Sequence, residues 1–190
     1  NRDELMDQAV AFFTDKETLG RYATDESVFS VMPQMVVMPR DIEEVQRVVR
    51  TVRDYTKDYP EISITVRGAG TGLSGGSLND SVIMDIQHLD AMGKVAGQFV
   101  DVGPGRYYRE IHALLEEKGM YFPPHPSSWR ICTIGGMVAN DVAGPNSLKY
   151  GHTSSFVHSL EVVLDDGALY TIKPLSFNEL QEEIKKGTKL

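Results

Sequence analysis

Residues 67–76 read RGAGTGLSGG, with glycine at Gly68, Gly70, Gly72, Gly75 and Gly76. A helix does not form easily through that density of glycine, since each costs about 1 kcal/mol against alanine. The stretch reads instead as a loop with positive φ angles and a bare backbone that a ligand can approach closely. Successive N–H groups in such a loop form a concave nest for an anion, and a phosphate is the natural guest. The dinucleotide fingerprint G-x-G-x-x-G runs into a helix, whereas this loop runs into a β-like segment. The phosphate-binding lysine loop needs Gly-Lys-Ser/Thr, and here the only cation is Arg67. Backbone N–H groups would therefore hold a diphosphate that is bound but not cleaved. A glycine-rich turn without a ligand is the competing reading of this loop taken alone.

A second stretch, residues 122–151, reads FPPHPSSWRICTIGGMVANDVAGPNSLKYG. It is long, marked by glycine and proline, and mostly without helical or strand period, which in a compact domain points to function. Ser127, Ser128, Thr133, Asn140 and Asn146 offer neutral hydrogen-bonding groups, and Gly135, Gly136 and Gly144 expose backbone. Such a set suits a large planar heterocycle. A loop held by its own polar side chains is the alternative. The five histidines show no i, i+3 or i, i+4 pair, so a zinc site is poorly supported. His125 reads as a surface-loop residue, Cys132 as a packed thiol and Asp165–Asp166 as a solvated turn. Trp129 either covers a ligand or closes a lobe.

These loops need elements to hold them. MVVM (35–38) reads as an apolar strand, and Asp41 with Glu44 as a capping pattern. The following helix would carry Ile42, Val45, Val49 and Val52 on one stripe and end near Tyr59–Pro60. ISITV (62–66) and SVIMDI (81–86) are strands on either side of the glycine loop. Strand, helix and strand make a βαβ unit with its first two strands parallel. The loop then lies at a carboxyl end of the sheet, where open α/β sheets place ligands. FVDVGPG (99–105) is expected to be a strand, and residues 106–118 a helix capped by Gly119. Residues 159–172 are expected to form a hairpin turning at Asp-Gly, and Ser176 with Glu179 to start a last helix. Residues 3–14 suit an amphipathic helix through Leu5, Ala9 and Phe12; 20–34 read as an irregular lead-in.

The chain has 190 residues, 41% hydrophobic and 24% charged, the balance of a globular domain. Its net charge of −8 disfavours nucleic acid as a partner. It has no apolar run of the ~20 residues that span a bilayer, and a cytoplasmic location, peripheral on the inner membrane at most, is expected. Cys132 is the single cysteine, so no internal disulfide forms. We expect a domain excised from a longer protein.

RGAGTGLSGG (67–76), PPHPSS (123–128), CTIGGMVAN (132–140), AGPNSLKYG (143–151) and LEVVLDDG (160–167), in this order, resemble the FAD-binding domains of the vanillyl-alcohol oxidase type, above all those of D-lactate dehydrogenases and the flavin subunit of glycolate oxidase. The lead-in RYATDES (21–27) and PRDIEEV (39–45) are similar to the same subgroup, and the resemblance covers about 20–175. It implies an α+β fold, the two-lobed PCMH-type domain, with a small βαβ lobe (about 33–90) and a larger, mainly antiparallel lobe (91–175). Residues 1–32 would form an N-terminal helix and lead-in, and 176–190 a C-terminal helix leading to a substrate domain outside this chain. FAD would lie between the lobes. By the resemblance, Gly68, Ala69, Gly70, Thr71, Gly72, Leu73, Ser74 and Gly75 hold the pyrophosphate through their N–H groups, with Arg67 beside them among the cofactor-binding residues. Residues 127–144, with Ser127, Ser128, Thr133, Gly135, Gly136, Asn140, Ala143 and Gly144, line the ribityl chain and ring; Glu161 and Val162 face the adenine side through backbone, and Pro126, Tyr150 and Gly151 complete the cofactor-binding set. Thr71 stands where some relatives attach flavin to a histidine, so non-covalent FAD is expected. No catalytic or metal-binding residue is expected here.

The function implied is the cofactor domain of a flavin-dependent oxidoreductase acting on a small 2-hydroxy acid, D-lactate or glycolate. Two rivals stand beside it: a flavin reductase lobe acting on a sugar nucleotide, and a binding module for a nucleotide diphosphate without redox work.

Overall fold

A computed structural model describes residues 10–187. Its main sheet has four strands: β1 (Ala11–Phe13), β2 (Met35–Met38), β3 (Ile64–Arg67) and β4 (Val82–Asp85), in the order β1-β2-β4-β3. β2 and β3 both pair parallel with β4, Met35 and Ile64 each opposite Val82; β1 pairs antiparallel with β2. The expected parallel relation of β2 and β3 is present, with β4 inserted between them.

The continuous apolar runs of β2 and β4 follow from burial on both faces. Met35, Val37, Val82, Met84 and Ile86 face α2 (Ile42–Tyr55), meeting Val48 and Val52. Val36 and Ile83 point the other way, onto Leu19 of α1 (Lys16–Tyr22). Asp41 caps α2 through Glu44 N–H at 2.7 Å, and the Glu44 carboxylate accepts Arg40 N–H at 2.8 Å. The buried stripe is Glu44, Val48 and Val52, with Val45 and Val49 at its margin; Ile42 is exposed.

Three expectations change. The helix over 3–14 lies partly outside the described residues, and Ala11–Phe13 is a strand, because Phe12 and Phe13 pack on opposite faces beside β2. The lead-in begins within α1, which is capped by Asp15 and runs to Tyr22. Residues 99–105 form no regular strand; the bridges Met92–Val102 and Ala96–Phe99 fold them into an irregular hairpin. Gly103 and Gly105 press against the backbone of residues 86–91 there.

α3 (Tyr108–Glu116) is shorter than the expected 106–118: its C-cap is Glu117, and the turn that follows includes Gly119 at φ +66°. α4 (Ile134–Ala139) and α5 (Ser147–Tyr150) are short. β5 (Leu160–Val163) and β6 (Leu169–Ile172) form the expected hairpin, with Gly167 at φ +70°. Gln46 and Arg50 of α2 donate to Gly167 O at 2.8 and 3.3 Å, which seats the hairpin on that helix. α6 (Phe177–Lys186) begins with the full Ser176–Glu179 capping box. Among the described residues no helix is long and apolar enough to cross a membrane.

Candidate functional site

The glycine loop leaves the carboxyl end of β3, an edge strand. Among the described residues none of the N–H groups of residues 69–76 donates a hydrogen bond. Backbone donors are almost always paired in a folded protein, to the chain, to water or to a ligand. Gly70 and Gly75, at φ +67° and +75°, turn the backbone into the left-handed region that an anion nest uses.

Most of the glycines are needed for packing. A Cβ at Gly68 would stand 2.3 Å from Thr133 Oγ1, at Gly70 2.5 Å from Arg67 Nη2, and at Gly75 2.9 Å from the Phe29 ring. Around Gly72 the space is open. Packing thus accounts for Gly68, Gly70 and Gly75 and not for Gly72.

Arg67 is buried and its guanidinium is turned inward. It donates to Thr24 O at 2.8 Å and to Tyr22 O at 3.3 Å, and lies 5.2 Å from the centroid of the Tyr22 ring. The Tyr22 hydroxyl donates to the Asp85 carboxylate, which also accepts Gln87 N–H at 2.8 Å. Burial, and then Asp85, push the Tyr22 phenol well above its ordinary pKa. This network straps residues 22–29 across the loop, and Glu26 N–H donates to Gly70 O at 3.2 Å. Arg67, named among the cofactor-binding residues, directs these hydrogen bonds to the strap's carbonyls.

The second stretch meets the first at Gly68. Thr133 is buried, caps α4 by accepting Gly136 N–H at 3.3 Å, and touches Gly68. Gly135 N–H donates to Pro104 O at 2.8 Å, and a Cβ there would hit Pro104. A Cβ at Gly144 would strike the His125 backbone at 2.5 Å. Asn140 Nδ2 donates to Gly136 O at 2.9 Å. Ser147 N–H donates to Gly144 O, Gly151 turns at φ +83°, and Tyr150 packs edge-on against Tyr121.

Trp129 closes a small core with Tyr108, Cys132 and Met137. Burial raises the Cys132 thiol pKa, keeping it protonated. His125 is half-buried rather than a free surface residue: its Nδ1 lies 3.2 Å from the Tyr108 hydroxyl, and its ring packs against His112 and Trp129. Burial, and then His112, lower its pKa.

The two stretches share one cleft of about 260 Å³, lined by Glu26, Thr71, Leu73, Ser127, Ser128 and Ile131. Four of these six were expected from sequence. Glu26 and Ile131 were not, although the quoted lead-in motif contains Glu26 and so held the signal. Ala69, Ser74, Pro126 and Ala143 belong to the same two loops. Glu161 and Val162 lie on β5, in the hairpin seated on α2, and neither lines the cleft.

The family model described as FAD binding domain matches residues 33–173. D-2-hydroxyglutarate dehydrogenase of Haemophilus influenzae is 32% identical over 165 residues, which are 85% of this chain and 16% of that protein. Glycolate oxidase subunit GlcD of Bacillus subtilis is 32% identical over 73% of this chain and 29% of its own length. D-lactate dehydrogenase of Archaeoglobus fulgidus is 31% identical over 80% of this chain and 34% of its own length. The chain thus spans between about a sixth and a third of these relatives. Among solved structures, BBE-like 1 of Physcomitrella patens superposes with a TM-score of 0.77 at 19% identity, covering 94% of this chain and 39% of that one. For 6-hydroxy-D-nicotine oxidase from Arthrobacter nicotinovorans the TM-score is 0.73 at 18% identity, over 87% of this chain and 36% of that one. These superpositions show the fold.

Proposed function

This chain belongs to the family of FAD-binding domains, its cofactor is FAD, and from that premise we propose that it is the cofactor-holding part of a flavoenzyme oxidising a small 2-hydroxy acid. The named activities of the relatives, on D-2-hydroxyglutarate, D-lactate and glycolate, support that substrate class. The carrying observation is the row of unpaired N–H groups on residues 69–76, beside a cleft whose opposite wall is Ser127 and Ser128.

The residues present fit the group. A hydrogen bond from an N–H to a charged acceptor contributes about 1.5–3 kcal/mol, so a few such donors hold a diphosphate without a lysine. The cleft falls below the ~300–1,000 Å³ of pockets that enclose whole drug-sized ligands, so it takes a segment of the dinucleotide. FAD, when bound, supplies the redox chemistry, taking a hydride equivalent from the substrate at its ring system. The chain's residues bind and orient. In this reading Gly68 to Gly75 grip the diphosphate through backbone, and Pro126 to Ser128 line the sugar-chain side. Thr133 keeps the two loops in register, and Gly135 to Gly144 with Tyr150 and Gly151 border the ring. Glu161 and Val162 serve the adenine end. Arg67 acts as a positioning residue. Thr71, in place of a nucleophilic histidine, leaves the flavin non-covalent.

Residues 33–175 would be the FAD unit, as lobes of about 33–90 and 91–175, and the greater length of the relatives supports a separate substrate domain. We place the protein in the cytoplasm. Titration of the 190-residue chain with FAD tests the reading: flavin fluorescence should quench and the melting temperature should rise. Unchanged fluorescence and melting at saturating FAD would overturn it.

A further inference from the structure

The shared cleft holds an acid where a phosphate site would hold a base. Its lining comprises one carboxylate (Glu26), three hydroxyls (Thr71, Ser127, Ser128) and two aliphatic side chains (Leu73, Ile131), with no cation. Glu26 is held by its backbone, and its side chain is exposed. Its N–H is bonded to Gly70 O, and the strap around it is held by Arg67 on Thr24 O and by Asp25, which accepts Ser27 N–H at 2.9 Å and the Ser77 hydroxyl at 2.9 Å. Among the described residues no hydrogen bond or ion pair engages the Glu26 carboxylate. Arg67 has turned its donors to carbonyls of residues 22 and 24. A diphosphate placed in this cleft would face a like charge with no cation on the wall to offset it.

A carboxylate is acceptor-only, with two oxygens side by side. Two adjacent O–H donors, a vicinal diol, match it. Hydroxyls of Thr71, Ser127 and Ser128 both donate and accept, so they serve the rest of a polyol. The cleft's size suits a sugar-sized fragment, and the exposed Leu73 and Ile131 give apolar flanks for the ring attached to it.

We propose that Glu26 reads a vicinal diol of the bound dinucleotide, with Thr71, Ser127 and Ser128 completing a polyol subsite, while the diphosphate lies outside this cleft on the N–H groups of residues 69–76. The inference rests on the FAD reading. The diol belongs either to the adenosine ribose or to the ribityl chain, and the chemistry is shared.

The test measures binding of three ligands to the 190-residue chain by isothermal titration. They are FAD, FAD with a 2′,3′-dideoxyadenosine half, and FAD whose ribityl hydroxyls are removed. All three keep the diphosphate. One analogue should bind at least about tenfold more weakly than FAD, as loss of a hydrogen bond to a charged group implies, and which one does so names the sugar. In Glu26→Ala that difference should shrink to about twofold, and Glu26→Gln, which keeps one acceptor, should fall between. Far-UV circular dichroism melts check that the variants fold. Wild-type binding of FAD with both analogues binding equally well overturns this proposal alone. So does an undiminished preference in Glu26→Ala, or tighter FAD binding in Glu26→Gln, which would place the acid against the diphosphate. No FAD binding by the wild type overturns the parent reading as well.

Discussion

A methyl group at position 70 would meet the Arg67 guanidinium at 2.5 Å, on a backbone already at φ +67°. At position 72, one peptide plane pair away, nothing stands within 4 Å. The two glycines should therefore fail differently. Gly70→Ala should destabilise the chain by about 1–3 kcal/mol, through left-handed strain and displacement of the arginine. Gly72→Val should keep its melting temperature within a few degrees and lose FAD binding, because its side chain occupies the space beside the unpaired N–H groups. Urea unfolding and FAD titration of both variants separate fold from site. The glycine spacing was legible in the sequence, but the reason for each glycine was not. Thr133, Arg67 and Phe29 come to the loop from other parts of the chain, and only the fold shows that they fill the room a side chain would need. His125 makes a second case. The fold holds its imidazole neutral, through burial and then His112, so the unfolded chain binds the proton more readily. Stability should fall as pH drops below the ordinary imidazole value of about 6.5. His125→Gln should flatten that part of the curve, which chemical denaturation between pH 7.5 and 5 would show.

At the scale of elements, α2 carries the most weight, since it covers one face of the sheet and seats the β5–β6 hairpin. Its Asp41 cap satisfies one of the orphan N–H groups of the first turn. Asp41→Ala should cost about 1 kcal/mol, measurable as a lower urea midpoint with an unchanged slope. Caps of this kind, and the Ser176–Glu179 box, are written in adjacent residues, so the sequence announces them. Strand β1 is different. Three residues, Ala11 to Phe13, fit helical and strand periods equally well, and the pairing with Val36 to Met38 decides between them. Insertion of β4 between β2 and β3 was likewise hidden, because apolar content states that a strand is buried without stating its neighbours.

At the scale of the whole molecule, a net charge of −8 surrounds a site for a polyanionic cofactor. Binding must come from short-range donors, and the structure offers backbone N–H groups for it. With Thr71 standing where some relatives attach flavin to a histidine, the flavin should be held without a covalent bond. Acid precipitation of the FAD-loaded chain should leave the yellow colour in the supernatant; flavin carried down with the pellet would contradict this. At a free FAD concentration of 100 times Kd, the chain should gain about 2.7 kcal/mol of stability. The class of cofactor could be read from five motifs in order. The acid on the cleft wall is not legible in the sequence as a site residue, because it lies in a lead-in segment that the Arg67 network folds back over the loop.

The contact between Gly68 and Thr133 Oγ1 leaves no room for an atom at position 68. The two positions are consequently not free to diverge one at a time. A descendant carrying alanine at 68 would need a residue without that hydroxyl oxygen at 133, and would then lose the acceptor that caps α4. Paired substitution at these two sites, or invariance of both, is the pattern of inheritance that this single touching point imposes.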